Sequence, residues 1–238
     1  TISDDQKARI WDVRTGECLI ILPHDNEVYL AVFNNDETMV LTASKDGTAR
    51  IWDARTGECL RELPHNNCVN SAVFNNDETM ILTTSSDENA CIWDARTGEC
   101  LRELPHDNYV LSAVFNNDET MVLTTSSDEN ARIWDVRTGT CLIELPHNNE
   151  VRSAVFNKDN TMVLTTSGDK TARVWDISLI NTIKEMPIDQ LLLVAAINDA
   201  RINKEQYELN GQEQVVWDLL QKDYPEVTKV MKNYIRYS

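Results

Sequence analysis

The chain contains no unbroken apolar run of the roughly 18 residues that a membrane-spanning helix needs. It opens Thr1-Ile2-Ser3-Asp4, with neither the basic n-region nor the apolar core of a secretory leader. It also lacks an initiator Met and starts midway through a repeating unit, so it is expected to be the C-terminal part of a longer protein. Basic residues are scarce: 22 Lys and Arg face 39 Asp and Glu, for a formal charge of −17. Such a surface repels phosphate backbones and anionic lipid at long range. Nucleic acid and membrane are therefore not expected as partners, and a basic peptide or protein face is favoured. Histidine is rarer still, at four residues. No Gly-rich phosphate loop, nucleophile elbow or His-Glu-x-x-His segment occurs. Acidic turns such as Asn75-Asn76-Asp77-Glu78 lack the central Gly and ligand ladder of a calcium loop, so they read as solvated turns. No metal or cofactor is expected.

What the chain does have is repetition. Trp-Asp recurs five times at a step of 41 residues: Trp11-Asp12, Trp52-Asp53, Trp93-Asp94, Trp134-Asp135 and Trp175-Asp176. A fixed period near 40 means identical supersecondary units stacked side by side. Of six cysteines, Cys18, Cys59, Cys100 and Cys141 obey the period. Equivalent positions on neighbouring units lie farther apart than the roughly 7 Å Cα limit of a disulfide. Free thiols in a reducing, cytoplasmic setting are expected.

The unit from His65 to Pro105 shows the local structure. Val69–Phe74, Thr79–Thr84, Ala90–Trp93 and Glu99–Leu104 are short β-branched or apolar stretches separated by polar turns. That pattern predicts an antiparallel meander, with Pro105 closing an edge strand. A four-stranded sheet of this size exposes apolar side chains on both faces and buries them only against its neighbours. Radial closure of four to eight such sheets gives a propeller.

Over residues 1 to about 185 the chain resembles the WD-repeat (Trp-Asp) β-propeller family. In that family a loop His, a Ser or Thr, a turn Asp and the Trp share a hydrogen-bond network. The matching sets are His24, Thr42, Asp46 and Trp52; His65, Thr83, Asp87 and Trp93; His106, Thr124, Asp128 and Trp134; and His147, Thr165, Asp169 and Trp175. His precedes Trp by 28 residues and Asp precedes it by 6 in each set. The family's Gly-His is Pro-His here, which stiffens the loop by fixing φ. One imidazole per blade cannot converge with the others on a metal.

The resemblance implies an all-β fold. Four complete four-stranded blades and a partial N-terminal blade are expected over residues 1–186, with a small α-helical segment over 187–238. The helical reading rests on a capping-box pattern at Asn210 and Glu213, and on Val227, Val230, Met231, Tyr234 and Ile235 at helical spacing. This tail is read either as a cap on a propeller face or as a docking module. Four and a fraction blades suggest an open arc, whose uncovered blade faces would favour self-association.

The units at 52–92 and 93–133 differ at five of 41 positions, and three of the five fall just after the loop His. A constant Val (Val28, Val69, Val110, Val151) is flanked by variable residues. Before it come Glu27, Cys68, Tyr109 and Glu150; after it come Tyr29, Asn70, Leu111 and Arg152. Two-residue alternation turns the Val into the stack and its neighbours the other way. The resemblance places these positions on the top face that grips peptides, with Lys45, Ser86, Ser127 and Gly168 beside them. Drift at exposed positions is the competing explanation. The function expected is a non-catalytic scaffold or adaptor that binds protein or peptide through that face. A propeller-type enzyme, an enzyme-associated regulatory subunit and a purely structural repeat are the alternatives. No catalytic residue is assigned.

Overall fold

A computed structural model describes residues 1–178. Thr1–Asp176 form one compact unit built of antiparallel meanders. The first sheet has three strands, β1 (Ile2–Ser3), β2 (Lys7–Trp11) and β3 (Cys18–Pro23). The second runs through β4 (Val28–Phe33), β5 (Met39–Ser44), β6 (Thr48–Asp53) and β7 (Cys59–Pro64). The third is β8 (Val69–Phe74), β9 (Met80–Ser85), β10 (Asn89–Asp94) and β11 (Cys100–Pro105). The fourth is β12 (Val110–Phe115), β13 (Met121–Ser126), β14 (Asn130–Asp135) and β15 (Cys141–Pro146). The fifth has three strands, β16 (Val151–Phe156), β17 (Met162–Ser167) and β18 (Ala172–Asp176).

Among the described residues three sheets are therefore complete, not four. By the repeat, the outer strand of the fifth would fall at about 182–187, which lies outside the described residues. So do the expected boundary at 186/187 and the helical tail. The expected strands hold to within a residue: the second strand of the third sheet starts at Met80 rather than Thr79, because Thr79 still belongs to the turn held by Asp77.

Alternation along the second strand of each sheet builds the core. In β5, Leu41 and Ala43 point forward and pack with Val69, Ala72, Ile81 and Trp93 of the third sheet. Val40, one residue over, points backward with Trp52 onto Ala8 and Leu22 of the first. Each such buried Leu or Val contributes about 1.5–3 kcal/mol relative to exposure. The outer strands instead bury one residue each, Leu63 and Leu104, leave the rest half-buried or exposed, and end in Pro, whose missing N–H costs nothing at an edge.

Polar contacts between sheets repeat with the same period. The Glu78 carboxylate accepts from Asn34 Nδ2 at 2.9 Å and from the Asn35 backbone N–H of the preceding sheet. Glu119 does the same to Asn75, at 2.9 Å, and to Asn76. At the last junction Asn160 stands in for Glu and accepts from Asn117 N at 3.4 Å. The expectation that these turns are merely solvated is thus corrected. Glu37, Glu78 and Glu119 sit at φ near +60 (60°, 60° and 59°), an unfavourable region for a residue with a side chain. In the last two, that conformation accompanies a carboxylate that reaches the neighbouring sheet.

Candidate interaction face and the network beneath it

Each inner sheet carries one buried polar chain. In the second sheet Trp52 Nε1 donates to Thr42 Oγ1 at 2.8 Å, Thr42 Oγ1 lies 2.8 Å from His24 Nε2, and His24 Nδ1 lies 2.9 Å from Asp46 Oδ2. An ionised carboxylate only accepts, so Nδ1 carries the proton and Nε2 accepts from the hydroxyl. The same chain recurs through His65, Thr83, Asp87 and Trp93, through His106, Thr124, Asp128 and Trp134, and through His147, Thr165, Asp169 and Trp175. His and Trp rings meet edge-on, with centroids 5.6 Å apart in the second sheet. All four sets read from the repeat are assembled. In the first sheet Trp11 Nε1 donates to Thr1 Oγ1 at 2.8 Å.

An arginine is a further member of the chain, one not predicted from the repeat. Arg50 reaches Glu62 at 3.1 Å and the Pro23 carbonyl at 3.0 Å, and lies 3.6 Å from Asp46. Arg132 and Arg173 occupy the same position in the fourth and fifth sheets. The third sheet has Cys91 there, so its Asp87 and Glu103 lack the guanidinium. The signal was present as an Arg two residues before the Trp in every unit but the third.

Burial lowers the His24, His65 and His106 pKa below the ordinary 6.5, outweighing the attraction of the paired carboxylates. Burial would raise Asp46, but bonds from Thr48, the Asp25 N–H and His24 together bring it down to about 2. Both shifts act in one direction on stability. A neutral His and an ionised Asp are the folded forms, so stability is full above about 6.5 and declines as pH falls below it. A second loss follows below the ordinary Asp value of 3.8, down through about 2. We expect the urea midpoint to be flat from pH 8 to 7 and to fall between pH 6.5 and 5. A midpoint unchanged to pH 5 would show that the imidazoles titrate as in the unfolded chain.

Above this network lie the variable positions. Val28, Val69, Val110 and Val151 are buried, as the alternation requires. Their followers do not obey simple alternation. The ladder shifts register between Val28 and Leu30, Val69 and Ser71, Val110 and Ser112, and Val151 and Ser153. Tyr29, Asn70, Leu111 and Arg152 are each the extra residue of a β-bulge, a feature that re-aims side chains next to functional sites. The carbonyl of the residue before the Val accepts from the turn residue at 2.9 Å in each of the last four sheets: Glu27 from Lys45, Cys68 from Ser86, Tyr109 from Ser127, Glu150 from Gly168. The three variable positions of each sheet therefore sit together at one end of the strands.

Their charges are partly self-neutralised. Lys45 pairs with Glu27 at 3.3 Å and Arg152 with Glu150 at 2.7 Å. Ser86 Oγ donates to Asn70 Oδ1 at 3.2 Å, and Asn70 Nδ2 donates to the Val110 carbonyl of the next sheet at 2.9 Å. Tyr29 and Tyr109 are exposed, Leu111 and Cys68 half-buried. At the opposite strand ends Ile10, Phe33, Glu37, Asp53 and Arg55 line a cavity of about 360 Å³.

The stacked meanders, the last four of them each tied by a His-Thr-Asp-Trp chain, define a repeat scaffold that presents loop ends. The family described as WD40 (WD domain, G-beta repeat) matches residues 16–53, 57–94, 98–135 and 139–176, and the chain belongs to it. Repeats of this family typically mediate protein–protein interaction and are typically non-catalytic. No curated protein matches the chain. Among solved structures it is similar to the computationally designed Ika8 protein, at 26% identity and a TM-score of 0.66. The likeness covers 74% of this chain and 54% of that one, so this chain spans about half the length of the structure it matches.

Proposed function

We propose that the chain is a non-catalytic adaptor that grips a peptide or protein segment across the bulged ends of its sheets. One observation carries this reading: in a framework copied almost unchanged, the differences gather on four β-bulges and the residues beside them. Exposed Tyr29 and Tyr109 supply rigid aromatic area, the kind of side chain that dominates binding energy. The net charge of −17 draws basic segments and rejects nucleic acid. Six free cysteines are in keeping with a cytoplasmic setting.

The test is a peptide array of basic, neutral and acidic sequences probed with the chain and with its Glu27→Ala, Tyr109→Ala, Arg152→Ala triple variant. Basic peptides should bind, and the triple variant should lose at least about tenfold in affinity, the loss of one good anchor. Its urea midpoint should stay within about 0.5 kcal/mol of the parent's, as surface positions allow. Binding unaffected by the triple variant, or no preference among the three peptide classes, would sink the reading.

A further inference from the structure

Two cysteines meet in the third sheet. Cys100 keeps the 41-residue period with Cys18, Cys59 and Cys141, but Cys91 stands where the other sheets carry Arg9, Arg50, Arg132 and Arg173. In the ladder of β10 and β11, Cys91 lies opposite Glu103 and Trp93 opposite Cys100. The register shift between Ile92 and Trp93 drops Leu101 from the pairing, so Cys100 falls on the face that Cys91 and Trp93 share. That face packs on the second sheet: Cys91 and Trp93 belong to the buried cluster there, and Cys100 lies against it. Diagonal neighbours on one face of an antiparallel pair are within reach of each other's side chains. The two thiols do interact, through a side-chain hydrogen bond.

In the second and fourth sheets the Arg at this position ties the third strand to the outer one. Arg50 Nε donates to Glu62 at 3.1 Å, and Arg132 Nε to Glu144 at 2.8 Å. The matching carboxylate of the third sheet, Glu103, faces Cys91 instead of a guanidinium. The sheet without that ion pair is thus the one with two thiols at the same place. We propose that Cys91 and Cys100 are a modification site, a thiol pair that a hydroperoxide converts reversibly into a disulfide tying β10 to β11.

The two thiols have different parts. Cys91 is 5% exposed and Cys100 is half-buried, so the oxidant reaches Cys100. The hydrogen bond from Cys91 holds the Cys100 thiol below its ordinary 9.0, against the effect of burial. The same bond, with burial, pushes Cys91 up. At the same repeat position burial pushes Cys59 and Cys141 up instead. Cys100 therefore ionises most readily of the three, and the thiolate is the nucleophile. Its sulfur attacks one oxygen of hydrogen peroxide and the O–O bond breaks. The sulfur loses two electrons and becomes a sulfenic acid, and the departing hydroxide becomes water with the proton the thiol gave up. The Cys91 sulfur then attacks the sulfenic sulfur. The S–S bond forms, the S–O bond breaks, and the hydroxide leaves as water with the Cys91 proton. A dithiol reverses the change by exchange. The proposal does not rest on the peptide-binding reading, and neither test bears on the other.

The test exposes the reduced full chain to a limiting amount of hydrogen peroxide, blocks the remaining thiols with N-ethylmaleimide, and digests with trypsin without reduction. Cleavage after Arg61, Arg96 and Arg102 separates the two cysteines onto peptides 62–96 and 97–102. Those two peptides should appear linked, and fragmentation should place the bond on Cys91 rather than on Cys68 of the same peptide. The intact chain should be lighter by two hydrogens before alkylation, with four of its six cysteines then blocked, and all six after dithiothreitol. Cys91→Arg restores the side chain of the sister sheets. It should keep the parent's far-UV circular dichroism, lose the linked pair, and leave Cys100 as a sulfenic acid that dimedone traps. Cys91→Ser replaces it if the dichroism departs from the parent's. Peroxide consumed without a linked pair would overturn the proposal, as would a bond from Cys100 to Cys59 or Cys68. An equal yield of the pair in urea would also overturn it, since the fold would then contribute nothing. So would oxidation of Cys59 or Cys141 ahead of Cys100.

Discussion

Thr124→Val is expected to destabilise the chain by about 2–5 kcal/mol, although the replacement has the same shape. Thr124 Oγ1 is the acceptor for Trp134 Nε1 at 2.8 Å and the partner of His106 Nε2 at 2.7 Å. Both rings are buried, so removing the hydroxyl strands a donor and an acceptor at once. A buried polar group left without its partner costs about 1–3 kcal/mol, more than the net value of the bond it lost. Fourth-sheet Thr124 is also flanked on both sides, so neither ring can turn to water. The matched control is Thr1→Val in the first sheet. There the same Trp-to-Thr bond exists at 2.8 Å, but it is exposed and no His depends on it. Its loss should cost under about 1 kcal/mol, since water replaces the hydroxyl. Urea unfolding followed by Trp fluorescence separates the two. Equal costs would mean that the bond, rather than the burial of its partners, sets the energy. Because sheets contact only their neighbours, a defect in the fourth sheet should also split the transition into two phases, which the first-sheet variant should not do.

The sequence carried the network fully, because chemistry and spacing coincide in it. Four residue types repeat at fixed offsets, and only a shared structural role keeps His, Thr, Asp and Trp in phase. Strands were equally legible, since β-branched runs between Asn-Asp turns leave few other readings. Three features were not legible. The bulges at Tyr29, Asn70, Leu111 and Arg152 follow from ladder register, and a register shift leaves no mark in a six-residue strand. The carboxylates of Glu78 and Glu119 looked like turn solvation, because the Asn residues they reach lie more than 40 positions back, on a neighbouring sheet. A Glu where Gly or Asn suits a left-handed φ was the available clue. The Arg50, Arg132 and Arg173 guanidinium contacts were hidden by the opposite bias. An Arg on an outer half of a sheet reads as a solvated charge until the paired Asp is seen beneath it.

Leu82→Ala and Leu164→Ala make the same deletion at the same repeat position, and their costs should differ several-fold. Leu82 lies at 1% exposure in the cluster that joins the third and fourth sheets, packed with Val110, Ala113 and Trp134. Truncating it removes a buried side chain and leaves a cavity that β-sheet backbones cannot close, at about 2–5 kcal/mol. Leu164 is 42% exposed on the last forward face. Its truncation in the isolated chain opens no cavity, so less than about 1 kcal/mol should be lost. The difference measures what a following sheet contributes, because local sequence and strand position are otherwise matched. Urea midpoints of both variants decide the matter. A cost at Leu164 as large as that at Leu82 would show that the forward face of the fifth sheet is covered as the inner faces are, and a small cost at Leu82 would mean that the sheets of this repeat stand largely on their own hydrogen bonds.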